Sequence, residues 1–264
     1  MAEFSLIERF CKGIGANHAS TTLSVGDDAA VISIPPSMEL AISVDTMVAG
    51  VHFYEDAAPE YIAHKLLAVN LSDMAAMGAE PKWATMTLTT PEINDQWLEA
   101  FSNSLNSLAS QYGVQLIGGD TTQGQLNLSI QIMGLLPQSK ALTRSSAQIG
   151  DDVYVSNTIG DAALALRCIE GQKSGVPDQS LEGLLSSPLR KFLEQPEPQI
   201  VLGLNLLGLA NSCIDISDGL VADLSHIAEQ SNVSIELNVD LLPLSPHYNK
   251  YLCLLYTSPS PRDS

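Results

Sequence analysis

The stretch Pro59–Leu88, PEYIAHKLLAVNLSDMAAMGAEPKWATMTL, reads as a helix followed at once by a strand. Proline suits the first helical turn, where its missing N–H has no partner to lose. The pattern then runs to Met77, and Gly78 stands where a helix ends. Lys82–Leu88 reads as the next strand. Upstream, Phe4–Lys12 carries helical signals, and Ala30–Ile34 and Leu40–Val48 read as strands separated by the Pro35-Pro36 turn. Downstream, Asn94 is placed to cap a helix to Tyr112, with Asp95 and Glu99 near its positive end. Val114–Ile117 is expected as a strand ending in Gly118-Gly119-Asp120, and Leu126–Leu136 as another ending at Pro137. Helix and strand alternate, so the fold class is α/β with mixed sheets.

A boundary is expected near Pro137–Ala141, which gives an N-terminal domain over 1–138 and a second α/β domain over 139–252. The second half restarts the alternation. Strands are expected at Val153–Ser156, Cys213–Ile216 and Val233–Val239, with helices at Asp161–Glu170, Gln199–Ala210 and Leu220–Gln230 and a polar stretch over Gly171–Ser180. There is no convincing internal repeat. After Tyr251 the periodicity fails, and two Ser-Pro steps oppose helix and strand alike. The tail 253–264, CLLYTSPSPRDS, resembles the translated sequence of a sequencing-library adapter, so the expectation is a non-native tail on a truncated second domain.

The 264 residues are 45% hydrophobic and 16% charged, a globular profile with enough chain for two cores. Acidic residues number 30 and basic residues 12, a net charge of −18. That balance argues against a general nucleic-acid backbone binder, which presents a basic face. It suits a chain that gathers divalent cations, and equally an acidic surface that keeps a cytosolic protein soluble. No apolar run reaches the roughly 18–20 residues of a membrane span, and MAEFSLIERF has charges in its apolar register, unlike a signal peptide. Cys11, Cys168, Cys213 and Cys253 are scattered without paired spacing, which reads as cytosolic thiols rather than a zinc site.

Acidic motifs recur at the ends of the expected strands or at strand–helix junctions. They are Gly26-Asp27-Asp28, Ser43-Val44-Asp45, Asn70-Leu71-Ser72-Asp73, Gly118-Gly119-Asp120 and Asp215-Ile216-Ser217-Asp218-Gly219. Singly, Asp beside Gly is a turn or a helix cap. In VGDDAAV the adjacent carboxylates repel by about 4 kcal/mol at 4 Å near a surface, which a turn, a bound cation or an acid/base pair would have to offset. So many carboxylates together repel unless cations neutralise them, and Mg²⁺ takes oxygen ligands of this kind alongside substrate phosphates. Zinc would want His or Cys in the set, and an EF-hand spacing is absent. The usual Walker, dinucleotide, nucleophile-elbow and H-E-x-x-H fingerprints are absent too. Gly118-Gly119-Asp120-Thr121-Thr122 offers backbone N–H groups to a phosphate, or forms a tight turn.

In order along the chain, VGDDAAV, AISVDTMVAGVHF, KLLAVNLSDMAAMGAEP, LIGGDTT, ALTRSSAQIGD and IDISDGLVADLSHI closely resemble the thiamine-monophosphate kinase family. That family belongs to the ATP-binding superfamily of aminoimidazole ribonucleotide synthetase and selenophosphate synthetase. The resemblance spans about Phe4 to Leu244. It implies a two-domain fold with N-terminal domains paired in a homodimer, and ATP-dependent phosphorylation of thiamine monophosphate in the cytoplasm. It further implies Mg²⁺, with Asp28, Asp45, Asp73, Asp120, Asp215 and Asp218 as ligands and Ser43 and Val44 supporting the cluster. Relatives often carry Thr where Val44 stands, which leaves that contact to the backbone carbonyl. By the same resemblance His52 contacts the thiamine phosphate, and Gly119, Asp120, Arg144 and Ser217 contact ATP. No covalent nucleophile is implied. Asp223 and His226 read as capping or packing groups on the helix after Asp218, and Asp27 as shaping its turn or reaching a second metal. Family members continue with a GGEDYEL-like segment that is missing here. That leaves two alternatives: another ATP-dependent enzyme of the superfamily, or a non-catalytic nucleotide-binding fragment.

Overall fold

The computed structural model describes residues 3–174, 184–185 and 187–257. Its first elements are α1 (Glu3–Phe10), the short strands β1 (Thr21–Leu23) and β2 (Val31–Ile32), and the long strand β3 (Met38–Val48). β1 and β2 pair antiparallel, so the expected strand at Ala30–Ile34 is shorter and has a partner that the sequence did not announce. Next come α2 (Pro59–Met77), β4 (Glu80–Thr90), α3 (Asp95–Gln111), β5 (Gln115–Gln123) and β6 (Asn127–Pro137). The main sheet has the order β3-β6-β4-β5, with β4 and β5 parallel and the other pairs antiparallel.

Local chemistry sets these boundaries. Pro59 opens α2, and Gly78 closes it at φ 67°. There the N–H of Ala79 reaches the carbonyl of Met74 at 2.8 Å and that of Gly78 reaches Ala75 at 3.1 Å, which satisfies two orphan carbonyls. Asn94 caps α3 by accepting the Trp97 N–H at 3.1 Å. Leu98, Phe101, Leu105 and Leu108 form the buried stripe of α3, at the helical period.

Alternation along β3 separates two environments. Ala41 and Met47 pack into the core that α2 and α3 share with the sheet, and Ser43 and Asp45 lie on that same face. Leu66, Leu71, Leu128, Ile130 and Ile132 are among the most deeply buried members of this core, each worth roughly 1.5–3 kcal/mol of burial. The opposite face carries a smaller cluster around Trp83, Ile117, Met133 and Leu135, with Met38 and Leu40 against it. Ile42 and Val44 continue that face and remain 54% and 61% exposed.

Beyond Pro137 the elements are α4 (Asp161–Ser174), α5 (Ser187–Glu194), α6 (Ile200–Leu206), α7 (Leu220–Ser231), a 3-10 turn at Val239–Leu241, and α8 (Pro246–Thr257). Among the described residues the strands expected at 153–156, 213–216 and 233–239 do not form. Alternating apolar residues specify a strand only where a neighbouring strand supplies ladder partners, and Tyr154 and Val239 there are 87% and 73% exposed. The expected polar stretch after Glu170 begins as the last turn of α4, and 175–180 lie outside the described residues. The boundary expected at Cys253 falls inside α8, while 258–264 lie outside the described residues.

The chain divides into two compact units, one of Met1–Asp151 with Pro198–Val233 and one of Asp152–Glu197 with Ser234 onward. This differs from a cut at 138/139, because α6 and α7 return to the first unit. A Cβ on Gly203 of α6 would sit 2.1 Å from the Ala75 carbonyl oxygen of α2, so the two backbones touch directly. The second unit has its own core of Leu164, Ala165, Cys168, Leu184, Leu189 and Tyr251. There the buried Asp161 accepts hydrogen bonds from Thr158 and Ser245.

Candidate active site

The functional residues of the first unit come from a strand, a helix and two loops. β3 presents Ser43 and Asp45 on its helix-facing side. α2 carries Ser72 and Asp73. Loops bring Arg144 and Asp215, which are neighbours because the Cys213 N–H and the Ser212 hydroxyl both donate to the Thr143 carbonyl, at 3.2 and 2.7 Å. Ser43 Oγ donates to Asp73 Oδ2 at 2.6 Å. That serine thus orients a carboxylate from another element.

Asp45, Asp73 and Asp215 form an electrostatic triangle. Burial pushes the Asp45 carboxyl above its ordinary range, Asp215 pushes it further, and His52 opposes. Asp73 is raised by burial first; the Ser43 hydrogen bond and Arg144 hold it down, and Asp45 raises it. Asp215 is raised by burial and then by Asp73, against the nearby Ser72 side chain and Arg144. Half-buried like charges in mutual reach disfavour ionisation; a cation among them reverses that preference.

His52 follows the end of β3 in a tight loop. Its Nδ1 accepts the Val48 N–H at 3.1 Å, so in the neutral ring Nε2 carries the proton and is a donor. Lys65 Nζ donates to the His52 carbonyl at 3.1 Å, which fixes the loop to α2.

The other sequence-singled residues lie elsewhere or are exposed. Asp28 is exposed, and its N–H donates to Asp27 Oδ1 at 2.9 Å, so Asp27 shapes the turn. The Val44 side chain lies on the sheet face opposite Ser43 and Asp45 and offers no donor atom. Gly118-Gly119-Asp120 does not end β5, which continues to Gln123. Ile117 is bulged out of register there, and a Cβ on Gly119 would lie 1.9 Å from the Met86 carbonyl oxygen. Close backbone approach, not a turn, requires that glycine. Gly119 shares a register row with Met86, Ile130 and Asp45 across the sheet. Asp120 is in the next row, three strand spacings from Thr46, or about 14 Å. Ser217 and Asp218 are exposed in the loop after Asp215. Among the described residues no three acidic, His or Cys side chains converge tightly enough to enclose a metal ion.

Ser72 was not among the expected site residues, although it sits inside a motif that was; only the folded chain brings Asp215 to it. Asp223 was expected as a capping or packing group. It is 3% exposed, and its Oδ2 accepts the N–H groups of Ser217, Asp218 and Gly219 at 3.0, 3.2 and 3.1 Å.

Residues 26–136 match the family described as AIR synthase related protein, N-terminal domain. The thiamine-monophosphate kinase of Escherichia coli K12 is 44% identical over 250 residues, which cover 95% of this chain and 75% of that protein. The chain belongs to the thiamine-monophosphate kinase family. Its fold is that of a family member from Stenotrophomonas maltophilia, with a TM-score of 0.82 and 39% identity over 96% of this chain and 82% of the other. A second family structure, AaThiL complexed with AMPPCP and TMP, superposes with a TM-score of 0.76 at 30% identity, covering 91% of this chain and 75% of that one. The mixed-sheet, two-unit organisation expected from the sequence is therefore that of the thiamine-monophosphate kinases.

Proposed function

We propose that this chain transfers the terminal phosphoryl group of ATP directly onto the phosphate of thiamine monophosphate, giving ADP and thiamine diphosphate. The carrying observation is the triangle of Asp45, Asp73 and Asp215, flanked by Arg144 and His52, in a chain of this family. The family structure bound to AMPPCP and TMP supports the same pair of substrates.

The acceptor is a phosphate that is already ionised at neutral pH, so no strong general base has to activate it. The chemical problem is repulsion between two polyanions that must meet in line. Arg144 offers a fixed guanidinium fork to phosphate oxygens. His52 offers its Nε2 proton to the acceptor phosphate, with the ring held by the Val48 N–H. Ser217 and Asp218 are exposed for contact on the nucleotide side.

The donor set fits Mg²⁺: it consists of carboxylate and hydroxyl oxygens, and its carboxyls are held above their ordinary range by burial and by one another. Mg²⁺ keeps several waters and binds substrate phosphates alongside a few carboxylates. Asp45, Asp73 and Asp215 would hold one ion, and Asp28, Asp120 and Asp218 would bind further Mg²⁺ carried with the nucleotide. When bound, Mg²⁺ supplies neutralisation and alignment of the phosphate oxygens. Ser43 keeps the Asp73 carboxylate aimed.

Homodimer formation and a cytoplasmic location belong to the same proposal. The exposed apolar pair Ile42 and Val44 on the open face of the sheet supports pairing with a second copy. No helix among the described residues is long and apolar enough to cross a membrane, and no disulfide joins the cysteines there. Ile42→Glu with Val44→Glu should convert a dimer to a monomer in sedimentation; an unchanged mass would remove the pairing face.

The test of the reaction is formation of thiamine diphosphate and ADP from thiamine monophosphate and Mg²⁺-ATP, followed by chromatography, with selenide and aminoimidazole precursors as competing acceptors. Transfer to thiamine monophosphate alone is expected. Transfer only to another acceptor would overturn the reading.

A further inference from the structure

We infer that Asp223 is a positioning residue for the nucleotide side of the site, holding the Ser217–Gly219 loop in the shape that presents Ser217 and Asp218. The inference rests on the nucleotide-contacting role proposed above for that loop. The segment from Cys213 to Gly219 has no ladder partner among the described residues, so its backbone has to be fixed by other means. One end is tied by Ser212 and Cys213 to the Thr143 carbonyl. The other end turns into α7 through Gly219 at φ 120°, a conformation with little intrinsic preference for one shape.

Asp223 solves this second end. It is 3% exposed and sits in the first turns of α7, with its own N–H on the Gly219 carbonyl at 3.0 Å. Its side chain reaches back, and one oxygen accepts three successive backbone N–H groups. Reaching back to amides at and before the helix start is the logic of a capping box, extended here over three residues. Hydrogen bonds to a carboxylate are the stronger kind. With these amides directed inward, the exposed Ser217 and Asp218 side chains are left to face a ligand. His52, on the acceptor side, is not part of this loop. Loosening the clamp should therefore weaken the nucleotide and spare the acceptor.

The experiment compares the full chain with Asp223→Asn and Asp223→Glu. Hydrogen exchange without nucleotide reads the clamp, and KM for ATP, KM for thiamine monophosphate and kcat read its use. In Asp223→Asn, exchange at residues 217–219 should quicken at least tenfold and KM for ATP should rise on the order of tenfold. KM for thiamine monophosphate should stay within twofold, and Asp223→Glu, which keeps the carboxylate, should recover part of the loss. Unchanged exchange overturns the inference, and so does faster exchange with equal weakening of both substrates or none. If the wild-type chain fails to phosphorylate thiamine monophosphate, the functional reading falls. Calorimetric affinity for Mg²⁺-AMPPCP, wild type against Asp223→Asn, then decides the positioning role by the same tenfold criterion. If Asp223→Asn does not fold, wild-type exchange decides: amides 217–219 as slow as mid-α7 support the clamp, and loop-like rates overturn it.

Discussion

Ser43 on β3 and Asp73 on α2 are joined by a 2.6 Å hydroxyl–carboxylate hydrogen bond. The bond crosses from sheet to helix on the face where the core lies, at the point where the core gives way to polar groups. It turns a packing interface into a site: the strand sets Asp45, the helix sets Asp73, and the serine fixes the angle between them.

Ser43→Ala removes one of the two influences that keep the Asp73 carboxyl from rising further. Its pKa should go up, so the acid limb of the activity profile should move to higher pH. Mg²⁺ activation should require about 10–100-fold more metal, the usual cost of losing a group that orients a ligand. A pH–rate profile and a Mg²⁺ titration check both; an unmoved acid limb would show that the bond does not tune Asp73.

The carboxyl triangle makes a prediction about stability. Asp45, Asp73 and Asp215 are all raised from 3.8 in the folded chain. From 3.8 up to those raised values the folded state binds more protons than the unfolded state. Their contribution to stability therefore falls as pH rises through that window, and at neutral pH their charges are a cost. Asp45→Asn should raise the melting temperature of the metal-free protein at pH 8 by on the order of 2 °C, a modest shift because the group is half exposed to solvent. The gain should shrink towards zero as pH falls below the window. Added Mg²⁺ should stabilise the wild type more than the variant. Melting curves at several pH values, with and without Mg²⁺, test the sign of each difference.

Local signals were enough to place α2 from Pro59 to Met77 and to put the cap of α3 at Asn94, because proline, glycine and asparagine act on their immediate neighbours. The second-half strands were misread because a ladder partner is a non-local requirement that residues 153–156, 213–216 and 233–239 do not carry in themselves. Asp45, Asp73 and Asp215 could be singled out as motif members, whereas their mutual coupling and the approach of Asp215 to α2 depend on loops that close only in the folded chain. The end of β5 was set too early at Gly118-Gly119 for a related reason. A glycine pair reads as a phosphate approach or a turn unless the approaching carbonyl of Met86 is known.

Asp28 and Asp120 are exposed, so their substitution should leave the fold intact. As Mg²⁺ ligands, Asp28→Asn and Asp120→Asn should each lower turnover at least about 100-fold at ordinary Mg²⁺. Melting temperatures should stay within about 1 °C, as for exposed sites. Wild-type turnover in either variant at limiting Mg²⁺ would remove that residue from the ligand set.

Gly119→Ala separates two explanations of the glycine pair in β5. A Cβ would lie 1.9 Å from the Met86 carbonyl oxygen and 3.1 Å from its nitrogen, inside the β4–β5 ladder beside the Ile117 bulge. Neither atom belongs to a flexible side-chain end, so the strands must part. The expected loss is about 2–4 kcal/mol, in the range of other backbone clashes and strained sites. Denaturant unfolding measures it, and faster hydrogen exchange along β5 locates it. Gly118→Ala is the control: the Cβ there meets only Thr85 Cγ2, at 3.8 Å, so its loss should be below about 1 kcal/mol. Equal stability of Gly119→Ala and the wild type, with a weakened KM for ATP, would mean that the glycine is kept for phosphate approach and not for the sheet.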